Sequence, residues 1–168
     1  MTTVTCPDCG NEFVLSGKTQ LHIGNINKLL FDKINKTVPF ASIRTFYVCS
    51  PFLSQLKYGQ ITLKNIGRKK RLVVITRPKN SPTVDARHAK QFEFLQKDCE
   101  ADMNVIDNLH AKMYIMEAGS ASFAVTGSMN LTNPKSIEAA IFTTDSKLFD
   151  DHKNNFLYEL KSKSKPVK

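Results

Sequence analysis

The sequence predicts an α/β sandwich, a mixed β-sheet flanked by helices, and three observations carry that reading. Residues 72–76 read Leu-Val-Val-Ile-Thr, a continuous apolar and β-branched run of the kind buried on both faces of a sheet, and Arg77-Pro78 closes it. Residues 25–38 place Ile26, Leu29, Leu30, Ile34 and Val38 at intervals of three and four, the spacing of an amphipathic helix that ends near Pro39. Helical and extended patterns then alternate before three strands follow in succession, the order of a layered α/β domain.

Element by element, residues 43–50 read as a strand, and 85–98 as a helix with Ala86, Ala89, Phe92, Leu95 and Gln96 on one side. Residues 103–106 and 109–116 are strand-like, Ala118-Gly119-Ser120 is a turn, 122–126 and 137–143 are further strands, and 148–160 is a closing helix. A chain of 168 residues with 41% hydrophobic content has the length and core material of one domain. No repeat and no Gly/Ser/Pro-rich linker divides it. We therefore expect an N-terminal extension over 1–24, one catalytic domain over 25–160 and a basic tail over 161–168.

The formal charge of +9 arises from 24 Lys and Arg against 15 Asp and Glu, and the pI is near 9.4, so the field around the protein attracts polyanions such as nucleic acid or anionic lipid. Part of the excess lies in Lys161-Ser162-Lys163-Ser164-Lys165 and part in Arg68-Lys69-Lys70-Arg71. Residues 1–13 lack a secretory pattern and no apolar run is long enough to span a bilayer, so a soluble, cytoplasmic protein is expected. In that compartment Cys6, Cys9, Cys49 and Cys99 are expected as thiols or metal ligands rather than disulfides.

The chemistry concentrates in Leu109-His110-Ala111-Lys112-Met113 and, a hairpin's length downstream, Thr126-Gly127-Ser128-Met129-Asn130-Leu131. On a strand, residues two apart share a face, so His110 and Lys112 would emerge together, as would Ser128 and Asn130. Gly127 would allow a close backbone approach, to a ligand or in a turn. Imidazole is a nucleophile that stays partly neutral near pH 7, while an ammonium, an amide and a hydroxyl balance charge on phosphate oxygens. This is a phosphoryl-transfer set that needs no metal. His88-Ala89-Lys90 repeats the first pair, but in a predicted helix, where residues two apart diverge; we read it as an exposed helix face.

These residues resemble the H-x-K…G-S-x-N signature of the phospholipase D superfamily. Tyr47-Val48-Cys49-Ser50-Pro51-Phe52-Leu53 resembles the family's strand ending in Ser-Pro-Phe, and Val73-Val74-Ile75-Thr76-Arg77-Pro78 resembles its middle strand, so the likeness runs over residues 25–160. It implies a phospholipase D-like α/β/α sandwich and a mechanism in which one histidine attacks phosphorus, a second protonates the leaving group, and water releases the phosphohistidine. By resemblance His110 is nucleophile or acid, Lys112 and Asn130 bind the phosphate, and Ser128 supports them. Glu117 stands where the family motif has aspartate, a position expected to be structural. Glu138 is the candidate for orienting His110, because related single-motif nucleases carry an acid downstream of G-S-x-N; its alternative is a surface glutamate.

One motif supplies one histidine, and the mechanism needs two. The resemblance to short single-motif nucleases therefore implies a homodimer with one active site on the two-fold axis. A metal-independent nuclease is the expected function, with DNA a closer fit than RNA, and Arg68, Lys69 and Lys70 as candidate backbone contacts, or simply a solvated run. A nucleic-acid-binding module with weak turnover, or a phospholipid hydrolase or transferase, are the alternatives. No cofactor is expected for catalysis. Cys6-Pro7-Asp8-Cys9-Gly10 has the knuckle spacing of a zinc ribbon, with His22 or a symmetry-related pair as the remaining ligands of a possible structural zinc; Cys49 is expected as a buried thiol.

Overall fold

The computed structural model describes residues 18–56, 58–69, 71–132 and 138–167, together with the backbone of 2–5 and 12–15. Strands β1 (Thr2–Thr5) and β2 (Glu12–Leu15) pair antiparallel as a separate ribbon. The main sheet contains β3 (Thr19–Gly24), β4 (Thr45–Cys49), β5 (Leu72–Thr76), β6 (Asp102–Val105), β7 (Met113–Glu117), β8 (Phe123–Gly127), β9 (Glu138–Thr143) and β10 (Lys165–Pro166). Their spatial order is β10-β6-β5-β4-β7-β8-β9-β3. Strands β4, β5 and β6 are mutually parallel, and every other neighbouring pair is antiparallel, so the sheet is mixed.

The helices α1 (Ile26–Thr37), α2 (Gln60–Gly67) and α3 (Ala86–Glu93) cover one face. There Ile26, Leu30, Phe31 and Ile34 from α1, Leu63 and Ile66 from α2, and Phe92 from α3 pack on Phe46, Val48, Val74, Tyr114, Met116, Phe123 and Val125. Each helix begins where its sequence supplies a cap: Asn25 accepts from Lys28 N–H, Gly59 takes a left-handed φ of 93°, and Asp85 accepts from the backbone of Arg87 and His88. The opposite face carries α4 (Ser146–Asn154), capped by Asp145, which runs on into Asn155–Lys161. Its Phe156 joins Cys49, Ile75, Ile115 and Ala124 in a smaller cluster. The α/β/α layering thus follows the sequence expectation.

Three segments depart from it. The sheet extends beyond the expected 25–160 domain, because Thr19–Gly24 pairs with β9 and Lys165–Pro166 pairs with β6. Both are short edge strands whose polar alternation resembles an extension or tail until a partner strand is known. Helix α2 lies in a stretch, between the strands at 43–50 and 72–76, for which the sequence reading gives no element. Strand β7 starts at Met113, not at Leu109, so His110 and Lys112 lie on the approach to the strand rather than within it.

Candidate active site

Antiparallel pairing of β4 with β7 and of β7 with β8 puts Cys49, Met113 and Thr126 at one level of the sheet. Beyond that level lie Ser50, where β4 ends, His110 and Lys112, where β7 is about to begin, and Ser128 and Asn130, where β8 has ended. Glu138 opens β9 alongside, through the pairing of Gly127 with Ala140. One end of the sheet therefore gathers both expected pairs and the expected acid.

The turn after β8 is clamped from several directions. Ser128 N–H donates to Ala139 O at 2.9 Å. The Ser128 hydroxyl donates to Glu138 Oε2 at 2.5 Å and accepts from Ala139 N–H at 3.1 Å. Buried Ser50 accepts from Leu131 N–H at 2.8 Å while its hydroxyl donates to Phe52 O at 2.7 Å. Tyr114, whose hydroxyl is pushed to a higher pKa by burial, donates to Met129 O at 3.3 Å. From α1, the amide of buried Asn27 donates to Asn130 O at 2.8 Å and to Thr132 O at 2.7 Å. The Asn130 Oδ1 atom itself is buried with no hydrogen-bond partner among the described residues.

Gly127 is required by the sheet itself. A Cβ there would lie 2.2 Å from Ala139 O and 2.7 Å from the Ala140 Cα, so the close approach allowed by this glycine is to β9. Lys112 donates from Nζ to His110 O at 2.9 Å, which folds its side chain back over the histidine backbone. The His110 imidazole is exposed, and among the described residues no side chain holds it. The structure brings Glu138 to Ser128 rather than to His110. Beneath the site the Cys49 thiol, pushed up to about 12 by burial, points to Ala111 O at 3.5 Å and is an inert core group.

The basic run lies elsewhere. Arg68 and Lys69 precede β5, and Arg71 O accepts from Phe46 N–H where β4 starts, a strand's length from His110, roughly 17 Å at about 3.3 Å per residue. Lys69 sits 4.5 Å over the Phe40 ring and Arg71 donates to Ile43 O. Lys70 lies outside the described residues, as do Cys6 and Cys9. His22, on β3, makes an edge contact with Phe142 at 4.9 Å between ring centres. Glu117 is also at the far end, where it accepts from Lys153 at 2.8 Å, a structural ion pair.

His88 corrects a sequence expectation: it is 1% exposed, not an open helix face. Its Nδ1 accepts from Leu53 N–H at 3.1 Å, which requires Nε2 to carry the proton and donate to Arg77 O, also at 3.1 Å. Burial lowers its pKa. The neutral ring ties the loop after β4 to the end of β5, and so holds the floor on which Ser50 stands.

No family model matches the sequence, and no curated protein matches it. Solved structures do. Nuc from Salmonella typhimurium, described as a phospholipase D family member, superposes with a TM-score of 0.67 at 12% identity, over 89% of this chain and 99% of that one. NucT from Helicobacter pylori gives 0.60 at 10% identity over 89% and 99%. The phosphatidylserine synthase of Haemophilus influenzae gives 0.60 at 11% identity over 95% of this chain and 43% of that one.

Proposed function

From a chain that has the phospholipase D-like fold, we propose a metal-independent phosphodiesterase that cleaves nucleic acid through a phosphohistidine at a homodimer interface. The observation that carries the reading is the gathering of His110, Lys112, Ser128, Asn130 and Glu138 at one end of the sheet, with the 128–132 turn fixed from four elements. Such fixed donors act where charge develops on a phosphate, and they need no reorganisation as it does so. The exposed His110 attacks phosphorus in line, Lys112 leaves its carbonyl for a phosphate oxygen, and Asn130 offers its amide to another. Glu138 accepts a hydrogen bond from the Ser128 hydroxyl, which fixes the hydroxyl rotor and the turn it belongs to.

A second histidine must protonate the leaving oxygen, and a second copy of this chain would supply it. The surface that suits that copy adjoins the site. On the face covered over β7 and β8 by α4, Leu21 and Ile23 of β3 stand opposite Ile141 and Ala139 of β9, and they remain 39% and 69% exposed. The next pair along is Gly24 with Glu138, so this apolar surface runs to the same end of the sheet as the site.

Nucleic acid is favoured over lipid by the +9 charge and by the short single-motif design. Among the described residues no helix is long and apolar enough to cross a membrane. The test compares DNA, RNA, a phosphatidyl lipid and an aryl diester in excess EDTA. Hydrolysis of nucleic acid that persists with EDTA and disappears in His110→Ala is expected. Turnover of the lipid alone would move the protein to the lipid reading, and strict Mg²⁺ dependence would defeat the mechanism.

A further inference from the structure

Beside His110 lies a cavity of about 360 Å³ that the proposed chemistry does not use, lined by the polar side chains of Arg77, Asn80, Ser81, Thr83, Asp107 and Asn108 and completed by two prolines, Pro78 and Pro82. It sits where β5 ends and β6 runs out, at the same end of the sheet as His110. Asn108 is two residues from His110, so their Cα atoms are at most about 7.6 Å apart. Its floor is fixed. Arg77 Nε donates to Leu109 O at 3.0 Å, its Nη1 donates to Thr83 Oγ1 at 2.8 Å, and its guanidinium lies 4.8 Å over the Phe52 ring. The rim is fixed too, because the Ser81 and Thr83 hydroxyls bond at 2.9 Å and Ser81 N–H donates to Pro78 O at 3.0 Å. Walls fixed in this way at Arg77, Ser81 and Thr83 lower the ordering cost of binding.

The lining identifies the ligand. Arg77 has two of its five N–H groups committed to protein oxygens, and the negative charge of Asp107 beside it offsets its own, which disfavours a second phosphate in the cavity. Two carboxamides, two hydroxyls and one carboxylate offer donors and acceptors side by side, which is what the edge of a nucleobase and the hydroxyls of its sugar present. The volume lies at the small end of ligand pockets, about 300–1,000 Å³, which suits one nucleoside rather than acyl chains. We propose that this cavity is a nucleoside subsite, taking the base and sugar next to the scissile phosphate of a single strand, with Asn80 and Asn108 reading the base edge. Only an unpaired base can enter it, so the site selects single-stranded over duplex substrate.

The inference rests on the nuclease reading, and two readouts separate their failures. The first is the affinity of a short fluorescent single-stranded oligonucleotide, measured by anisotropy on His110→Ala protein so that nothing is cleaved. Asn80→Ala with Asn108→Ala should weaken it about tenfold. An oligonucleotide with an abasic position beside the central phosphate should bind the unsubstituted cavity equally weakly. The second is turnover of bis(4-nitrophenyl) phosphate, which has no nucleoside to lose, on protein with His110 intact; the double variant should match the native rate within about twofold. Unchanged oligonucleotide affinity overturns the subsite whatever the chemistry does. Equal loss with the abasic and the natural strand, or competition by inorganic phosphate that the double substitution removes, also overturns it, since either makes the cavity a backbone site. Weakened binding with no turnover of the aryl diester by native protein retains the subsite and defeats the proposed chemistry.

Discussion

At the scale of single residues the site depends on side chains that touch no reacting atom. Asn27 spends both amide hydrogens on the backbone of Asn130 and Thr132, across 103 and 105 positions of sequence. Asn27→Ala should cost about 1–3 kcal/mol, the scale of leaving buried carbonyls unmet. It should also lower kcat for the diester more than it raises KM, read from denaturant midpoints and steady-state rates. His88 makes a pH prediction. Its ordinary pKa is 6.5 and burial lowers it in the folded chain. Above 6.5 neither state holds the proton; as pH falls below that value the unfolded chain takes up a proton that the folded chain refuses, and stability declines until the folded value is passed. His88→Gln keeps one acceptor and one donor but cannot protonate, so its urea midpoint should fall less between about pH 7.5 and 5.5 than that of the native chain.

These residues show why the site was only partly legible. His110, Lys112, Ser128 and Asn130 form a local pattern that survives without any knowledge of the fold. Asn27 and Tyr114 act through contacts far apart in sequence, and nothing in their own neighbourhoods marks them; Ser50 and His88 stand in recognisable local patterns, but those patterns do not show the distant backbone groups they hold. The exposure expected of His88 does not hold because a helical setting leaves open which face is covered, and the loops after β4 and β5 close over that face of α3.

At the scale of elements the ends of strands matter more than their middles. Alternation and β-branched runs marked most strands of the sheet, but not which end of each would hold the site. The run from Arg68 to Arg71 illustrates the gap: its charge suggested a substrate contact, yet the parallel pairing of β4 and β5 assigns it to the end away from His110. Arg68→Ala with Lys69→Ala should therefore leave kcat/KM for a short diester within about twofold of native. Gly127 shows the reverse case, a residue whose need is set by two strands together. Gly127→Ala must push β8 from β9 or displace Ala139, at a cost of about 1–3 kcal/mol, and the thermal midpoint should drop while the helical circular dichroism is kept.

At the scale of the molecule, charge and assembly are the testable properties. A net charge of +9 predicts that nucleic-acid affinity falls steeply with salt, and the slope of log K against log salt counts the phosphates neutralised. If the β3–β9 surface joins two copies, Ile23→Lys should give a monomer by sedimentation that retains its fold and loses diester turnover although His110 is untouched. An active monomer would rule the shared site out.

The two margins of the sheet are not equivalent. At the β6 margin the last strand, β10, is two residues long and one of them is Pro166, which has no N–H to offer a further strand. That flank is a dead end for templated growth, whereas the β3 flank presents a longer edge. Contact between unlike flanks could repeat without limit and yield fibres; contact between like flanks stops at two. The proline at one rim therefore works against an open polymer of edge-paired sheets.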